Sequence, residues 1–172
     1  MMEADRALRL IAARCARREL SCFEVTAWLR RQGLTGEEVA KGVAYLRERG
    51  FVDDERFAMA YARDMFRFRR WGRGRIEQGL RRKGIDGELL ARALATVGDD
   101  DVFAACLLLL QRKAAGVKER DPRRRRAKLI RFALGRGFDF DTIYRALKGV
   151  TGEDFPEDEG GGGEEGFSGE VD

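Results

Sequence analysis

Apolar residues recur every three or four positions along most of the chain, with polar and charged residues between them. Leu8, Ile11 and Cys15 show this spacing near the start, and Phe57 and Tyr61 show it in the middle. This spacing is typical of amphipathic helices that pack one face against a core. Only two prolines interrupt the pattern. The chain is therefore predicted to be all-α.

Capping residues and glycines divide the pattern into nine predicted helices. Ser21 and Thr35 are each followed three residues later by a glutamate, which is the capping-box pattern of a helix start. Further helices are expected to begin at Asp53, Asp86, Asp121 and Asp139, because an aspartate can accept hydrogen bonds from the free N–H groups of a first turn. Glycines follow several of the apolar runs, where a helix is expected to end.

The pattern repeats three times. Gly33, Gly84 and Gly137 lie 51 and 53 residues apart, and each is followed by an apolar residue and then by a capping residue. Six and ten positions past each glycine stand further apolar residues, which are Val39, Leu90 and Ile143, and Val43, Leu94 and Leu147. Such self-similarity predicts three tandem three-helix repeats at 1–50, 51–98 and 99–149, stacked into an elongated, slightly curved body.

Charge is distributed unevenly along the chain. The formal net charge is +4, but no basic residue follows Lys148, and nine of the 30 acidic residues lie between 153 and 172. The first 152 residues therefore hold 34 basic and 21 acidic groups, a net charge of +13. A body this basic suggests a polyanionic partner or an acidic protein surface, although a well-solvated helical surface is the plainer alternative.

Glycine and acidic residues dominate the last segment, 150–172. This composition cannot bury enough apolar surface to offset the entropy of ordering, so the segment is predicted to be disordered. Two roles are open for it. It either only aids solubility, or it folds back on the basic body and competes with the partner.

Several kinds of chemistry are excluded by composition. The chain has no histidine, which removes Ser-His-Asp and Cys-His catalysis and the common zinc sites. Cys15, Cys22 and Cys106 lack metal-ligand spacing and are expected to be reduced thiols. Neither a signal peptide nor an apolar run of membrane-spanning length is recognisable, so we expect a cytoplasmic location.

Two clusters of basic residues are the main candidates for partner or DNA binding. One surrounds Trp71, where arginines interleaved with an aromatic residue can grip phosphates and stack a base; alternatively Trp71 packs between repeats and the arginines face water. The other follows Pro122 in the first turn of a helix, where cations are unfavourable and local stability does not explain them. Arg81 and Arg82 lie in a last turn, which the helix dipole already favours. The full set is Arg67, Arg69, Arg70, Trp71, Arg73, Arg75, Arg81, Arg82, Arg123, Arg124, Arg125, Arg126, Lys128 and Arg131.

Asp53, Asp54 and Glu55 form a short acidic run that has two interpretations. It could hold a metal ion in a nuclease, or it could cap a helix and complement its dipole. No second carboxylate cluster with a basic catalytic residue accompanies it, so the cap is favoured and no metal site is predicted.

The stretch from 53 to 85 contains one specific series of residues: Asp53-Asp54-Glu55-Arg56-Phe57-Ala58, Tyr61, Gly72, Arg75-Ile76, Leu80 and Lys83-Gly84-Ile85. In order and spacing it resembles the middle repeat of the RecX family of recombinase regulators, and Arg136-Gly137-Phe138 with Ile143 resembles the end of that family's third repeat. The resemblance covers about residues 6 to 148 and leaves out the acidic tail.

This resemblance implies a non-enzymatic regulator without cofactor or catalytic residues. Its expected partner is the RecA recombinase filament on single-stranded DNA. Family members block filament growth or favour disassembly, which restrains ATP hydrolysis, strand exchange, recombinational repair and the SOS response, and some members also bind single- or double-stranded DNA. We expect a monomer. The alternative is a helical DNA-binding module that acts independently of RecA.

Overall fold

The computed structural model describes residues 3–152, and within that range it contains nine helices and no strand. The helices are α1 (Ala4–Cys15), α2 (Cys22–Arg31), α3 (Gly36–Glu48), α4 (Asp54–Arg69), α5 (Arg73–Arg81), α6 (Gly87–Ala95), α7 (Asp99–Gly116), α8 (Pro122–Gly135) and α9 (Phe140–Thr151). The all-α prediction is confirmed. Of the segment 150–172 predicted to be disordered, Val150 and Thr151 are instead the last residues of α9, so that part of the prediction is wrong, and residues 153–172 lie outside the described residues.

Predicted N-caps make the expected hydrogen bonds at five positions. The Ser21 hydroxyl accepts from the backbone N–H of Glu24 at 3.2 Å, and the Glu24 carboxylate accepts from the N–H of Ser21 at 3.2 Å. Thr35 and Glu38 form the same reciprocal pair. Asp53, Asp121 and Asp139 each accept from an N–H group in the first turn of the helix that follows. These side chains begin α2, α3, α4, α8 and α9.

Asp86 does not act as predicted. It occupies the N-cap position of α6, but its side chain makes no capping hydrogen bond. The backbone is almost fully extended at Asp86, with ψ −171°, and is left-handed at Gly87, with φ +54°. This irregular entry differs from the other starts, so the carboxylate does not cap α6.

The three repeat-defining glycines share one conformation. Gly33, Gly84 and Gly137 have φ values of +87°, +76° and +88°, and each donates its N–H to the carbonyl three residues earlier. This left-handed conformation ends a helix and is costly for any residue with a side chain. The structural equivalence of the three positions confirms the repeat, while the exact domain boundaries 1–50, 51–98 and 99–149 stay a prediction.

The helices pack as triplets, namely α1–α3, α4–α6 and α7–α9. The first triplet has a core of its own, built around Ile11, Leu29 and Leu46. The second and third triplets share one continuous core, which runs from Phe57 to Leu147. None of the helices between residues 3 and 152 is both long and apolar enough to cross a membrane.

Candidate functional site

Two backbone segments touch where the second triplet meets the third. The N–H of Gly72 donates to the carbonyl of Arg136 at 2.8 Å, and the N–H of Gly74 donates to the carbonyl of Gly137 at 3.0 Å. A Cβ atom at Gly72 would lie only 2.5 Å from the carbonyl carbon of Gly137. The glycines around Trp71 are therefore explained by close packing of two chain segments.

Three candidate residues from the Trp71 cluster take part in this junction. Arg73 donates to the carbonyl of Val97 and forms an ion pair with Asp99, which ties α5 to the connection before α7. Arg75 donates to the carbonyl of Gly135 at 2.9 Å, and its guanidinium carbon lies 4.5 Å from the centre of the Trp71 ring. Trp71 itself is half-buried against the shared core. Packing therefore accounts for these three side chains.

The remaining arginines of that cluster are exposed and surround an exposed phenylalanine. We call Arg67, Phe68, Arg69 and Arg70 the α4 patch. Phe68 is 73% exposed, and the guanidinium carbon of Arg67 lies 5.9 Å from the centre of its ring. Arg70 ends α4 with φ +55°, the one positive φ outside glycine among the described residues. An exposed ring beside three cations is suited to stacking against a base or inserting into an acidic protein surface.

Phe68 is not among the binding residues predicted from the sequence. It follows Tyr61 by seven residues, two full helical turns, so periodicity assigns it to the apolar face of α4. The structure instead leaves it exposed in the last turn of that helix. Its position among three arginines was the sequence signal that could have indicated an exposed residue.

The second predicted cluster lies along α8. We call Arg123, Arg124, Arg125, Arg126, Lys128 and Arg131 the α8 cluster. Lys128 forms an ion pair with Glu119 at 2.9 Å, and Arg125 donates to the carbonyl of Ala114 near the end of α7 at 2.9 Å. Arg126 lies over the ring of Tyr144, 5.3 Å from its centre. Arg123, Arg124 and Arg131 are exposed, and within residues 3–152 no carboxylate pairs with their side chains.

A cavity of about 670 Å³ opens between α7, α8 and the end of α9. Its wall combines apolar side chains, including Ala114, Leu129 and Val150, with the arginines Arg123 and Arg125. Arg120 and Arg126 also line it. An apolar surface with a basic rim suits an anionic ligand that carries an apolar group.

The two candidate arginines at the end of α5, Arg81 and Arg82, have different environments. Arg81 forms an ion pair with Glu77 one helical turn earlier, at 2.9 Å. Arg82 is exposed and lines a cavity of about 630 Å³ between the first and second triplets, together with Phe23 and Trp28. Arg82 is therefore the better placed of the two for contact with a partner.

The acidic run at the start of α4 is divided among separate structural contacts. Asp53 caps α4, Asp54 accepts from the N–H of Cys22 at 2.8 Å, and Glu55 forms an ion pair with Arg92 at 3.0 Å. Across residues 3–152, no group of three or more potential metal-ligating side chains is gathered. The cap interpretation of Asp53 is confirmed.

The cysteines are free thiols whose environments disfavour the thiolate. Burial, followed by the nearby Asp54 carboxylate, raises the pKa of Cys22 to about 11. Burial raises the pKa of Cys106 to about 12. Both thiols are protonated at neutral pH, which makes them poor nucleophiles and metal ligands.

Nine helices that pack as three triplets across residues 3–152 define a helical-repeat protein. Comparison with known proteins then identifies the protein family. Residues 53–94 match the second three-helix domain of RecX, and residues 99–147 match the third. This chain belongs to the RecX family of regulatory proteins.

Individual relatives agree with this assignment. The regulatory protein RecX of Chlorobaculum tepidum is 33% identical over 150 residues, which cover 87% of this chain and 89% of that protein. RecX of Clostridium perfringens strain 13 is 28% identical over 131 residues, 75% of this chain and 61% of its relative. The crystal structure of RecX from Lactobacillus salivarius has the same fold, with a TM-score of 0.78, 20% identity, and coverage of 86% of this chain and 96% of that one.

Proposed function

We propose that this protein binds the RecA filament on single-stranded DNA and inhibits its ATP hydrolysis, strand exchange and growth. Membership of the RecX regulatory family is the observation that carries the proposal. The protein acts in the cytoplasm as a monomer and needs neither a cofactor nor a catalytic residue. The net charge of +13 over residues 1–152 supports a partner that is itself strongly anionic, as a nucleoprotein filament is.

Two surfaces are the proposed contacts. The α4 patch offers an exposed ring with three exposed arginines, and the α8 cluster offers Arg123 and Arg124 without an acidic partner in the described part of the chain. Arg73 and Arg75 are the weaker candidates, because their guanidinium groups already bind backbone carbonyls at the junction.

The test is ATP hydrolysis by RecA of the same organism on single-stranded DNA, with this protein added well below one molecule per RecA. Capping or destabilising filaments lowers hydrolysis strongly at such ratios, because one bound molecule affects many RecA subunits. Unchanged hydrolysis would contradict the proposal.

Charge-neutral variants assign the surfaces. Replacing Arg67 and Arg69 together by glutamine, or Arg123 and Arg124 together, should raise the concentration needed for half inhibition by about tenfold, since exposed interfacial charges are each worth roughly 0.5–1 kcal/mol. Arg9→Gln with Arg6→Gln removes the same charge from exposed positions on α1 and is the matched control. Equal loss in all three double variants would mean that net charge alone is responsible.

The α4 patch favours a second function, direct binding to single-stranded DNA without RecA. Exposed aromatic rings flanked by arginines stack bases, at about 1–3 kcal/mol per base. This function predicts tight binding to bare DNA that weakens steeply with salt. It also predicts that Phe68→Ala weakens DNA binding, whereas Phe51→Ala, at another exposed phenylalanine, does not.

A further inference from the structure

The cavity between the first and second triplets has an apolar wall. Ile11 and Leu20, which are 1% and 3% exposed, contribute aliphatic side chains, and Phe23 and Trp28 contribute aromatic rings. Phe23 is 56% exposed, yet it packs closely on the second triplet, because a Cβ atom at Gly84 would lie only 2.7 Å from the Cβ of Phe23. Contact with Gly84 therefore positions this ring while much of its surface stays open to a ligand.

Basic side chains surround this wall and outnumber the acidic ones. Six of the described residues that line the cavity are arginine or lysine, and Glu24 is the single acidic one. The Glu24 carboxylate already pairs with Lys83 at 2.6 Å and lies 3.8 Å from Arg18. Within residues 3–152 no carboxylate pairs with the other four, which are Arg14, Arg30, Arg31 and Arg82. The cavity thus presents positive charge that the surrounding fold does not compensate.

These arginines come from three different helices. Arg30 and Arg31 lie in the last turn of α2 and Arg82 is the C-cap of α5, positions that the helix dipole favours. Arg14 on α1 lies over Trp28, with its guanidinium carbon 5.8 Å from the ring centre. Local stability explains a cation at each helix end, but only the packing of the first triplet against the second brings both ends to one apolar wall.

An apolar wall with a rim of cations fits one kind of occupant. Carboxylates can pair with the arginines, while an apolar side chain between those carboxylates packs against Phe23 and Trp28. A nucleic acid fits less well, because the edges of its bases need hydrogen-bonding partners. Thr26 is the one uncharged side chain with a hydroxyl or amide group among the described lining residues.

We infer that this cavity binds an acidic peptide segment of a partner protein, in which carboxylates flank one aromatic side chain. The aromatic side chain packs against Phe23, and the carboxylates pair with Arg30, Arg31 and Arg82. Because Arg82 belongs to the second triplet and the other residues to the first, the bound peptide bridges the two triplets. The site is separate from the α4 patch and the α8 cluster, so it goes beyond the proposed function.

Fluorescence anisotropy with the full-length chain tests the site at low ionic strength. The probe is a fluorescein-labelled synthetic peptide with one phenylalanine between two short runs of glutamate. One matched probe replaces the phenylalanine by serine, and another replaces every glutamate by glutamine. The first probe should bind at least about tenfold more tightly than either of the others, because each of them lacks one of the two complementary features.

Neutral variants test the charged rim. Arg30→Gln combined with Arg31→Gln should weaken binding of the first probe by about tenfold, because two of the unpaired cations are removed. Arg6→Gln combined with Arg9→Gln removes the same charge from exposed positions of the same triplet, outside the cavity. This control should change the affinity by less than about twofold.

A second pair of variants tests the apolar wall. Phe23→Ala should weaken binding by about fivefold, because it removes the ring that the peptide side chain contacts. Phe140→Ala, at a similarly exposed phenylalanine of the third triplet, should leave binding unchanged. Both side chains are more than half exposed, so both variants should keep the fold.

Hydrogen exchange tests whether the peptide bridges the triplets. The first probe should slow exchange in α2 and at the end of α5, whereas α7–α9 should be unaffected. Slower exchange in α2 alone would contradict the bridging contact to Arg82.

Three other outcomes would overturn the inference. The first is equal binding of the phenylalanine and serine probes, or no binding of either. The second is an equal loss in the two pairs of arginine variants, which would mean that net charge alone is responsible. The third is tighter binding of oligothymidylate that weakens in Phe23→Ala, which would assign the cavity to a nucleic acid. Because none of these measurements contains RecA, their failure would leave the proposed function intact.

Discussion

The two junctions between neighbouring triplets are built differently. Between the second and third, apolar side chains form one core, and backbone groups of Gly72 and Gly74 bond to the facing loop. Between the first and second, the cores are separate and polar contacts bridge them. Lys83 contacts Glu24 at 2.6 Å, Arg56 contacts Glu19 at 2.7 Å, and the N–H of Cys22 contacts Asp54 at 2.8 Å.

This difference has a mechanical consequence. Burial of apolar surface is the main stabilising term in a core, whereas partly exposed ion pairs contribute little. The second and third triplets should therefore behave as one cooperative body, and the first should open or reorient more easily. We therefore expect α4–α9 to be the more rigid part of the protein and α1–α3 the more mobile part.

The largest expected effects come from truncating one buried side chain in each of the two cores. Leu29→Ala in the first core and Ile143→Ala in the shared core should each cost about 2–5 kcal/mol, because both side chains are fully buried. Hydrogen exchange should show lost protection confined to α1–α3 in Leu29→Ala, and spread over α4–α9 in Ile143→Ala. Leu10→Ala, at a 44% exposed position, is the control. Loss spread evenly over all nine helices in both variants would refute the two-body description.

The next effect tests the backbone contact at the firm junction. Gly72 has an ordinary φ of −73°, so Gly72→Ala adds no backbone strain, but its methyl group must displace the Gly137 loop. We expect a loss of roughly 2–3 kcal/mol in the free energy of unfolding, measured with urea. Gly135→Ala lies in α8 with open space around the added methyl group and should be neutral or stabilising. If Gly72→Ala left the free energy of unfolding unchanged, the contact between Gly72 and the Gly137 loop would not be needed for stability.

A smaller effect is expected at the polar junction. Glu24→Gln keeps an oxygen for the capping bond to Ser21 but removes the charge that attracts Lys83, at a cost of about 1 kcal/mol for a half-buried pair. Small-angle X-ray scattering should show a broader range of shapes. Glu37→Gln breaks the highly exposed pair with Lys41 within α3 and should change neither stability nor shape. A narrow range of shapes in both variants would mean that the ion pair does not restrain the first triplet.

The smallest effect concerns the cap of α9, beside the firm junction. Burial works to raise the pKa of Asp139, but hydrogen bonds from the N–H and hydroxyl of Thr142 outweigh it and hold the pKa below its ordinary value of 3.8. Because the folded pKa is the lower one, this stabilisation is present above the unfolded pKa and is lost as pH falls through the folded pKa.

Asp139→Asn keeps a capping oxygen and removes the titration, so it should cost less than about 1 kcal/mol at pH 7. Urea unfolding should show that the difference in the free energy of unfolding between the variant and the native chain is smaller at pH 3 than at pH 7. A difference that is constant or widens at low pH would contradict the assignment.

Much of the local structure could be predicted from sequence because the forces involved act over three or four residues. Ser21 with Glu24, and Asp121 before Pro122, specify helix starts by bonds within a single turn. Asp86 has the same residue type and the same repeat position as Asp139, which caps α9, but it makes no such bond, because the left-handed Gly87 beside it changes the entry to α6. Residue type thus predicted where each helix starts more reliably than it predicted whether the capping hydrogen bond forms.

The candidate surfaces were predictable only as sets of residues. Arg73 and Arg67 are alike in sequence, yet one binds the carbonyl of Val97, 24 residues away, and the other is exposed. Phe68 has the periodicity of a core residue and is on the surface.

By itself, the sequence determined the helices, most of their caps, the left-handed glycines, the threefold repeat and the net positive charge of the body, since each depends on composition or on neighbours within a turn or two. Tertiary structure alone decided that the second and third triplets share a core while the first has a core of its own, and which arginines bond within the protein and which are exposed. Those outcomes depend on contacts such as that of Arg75 with Gly135, 60 residues apart, which no local pattern encodes.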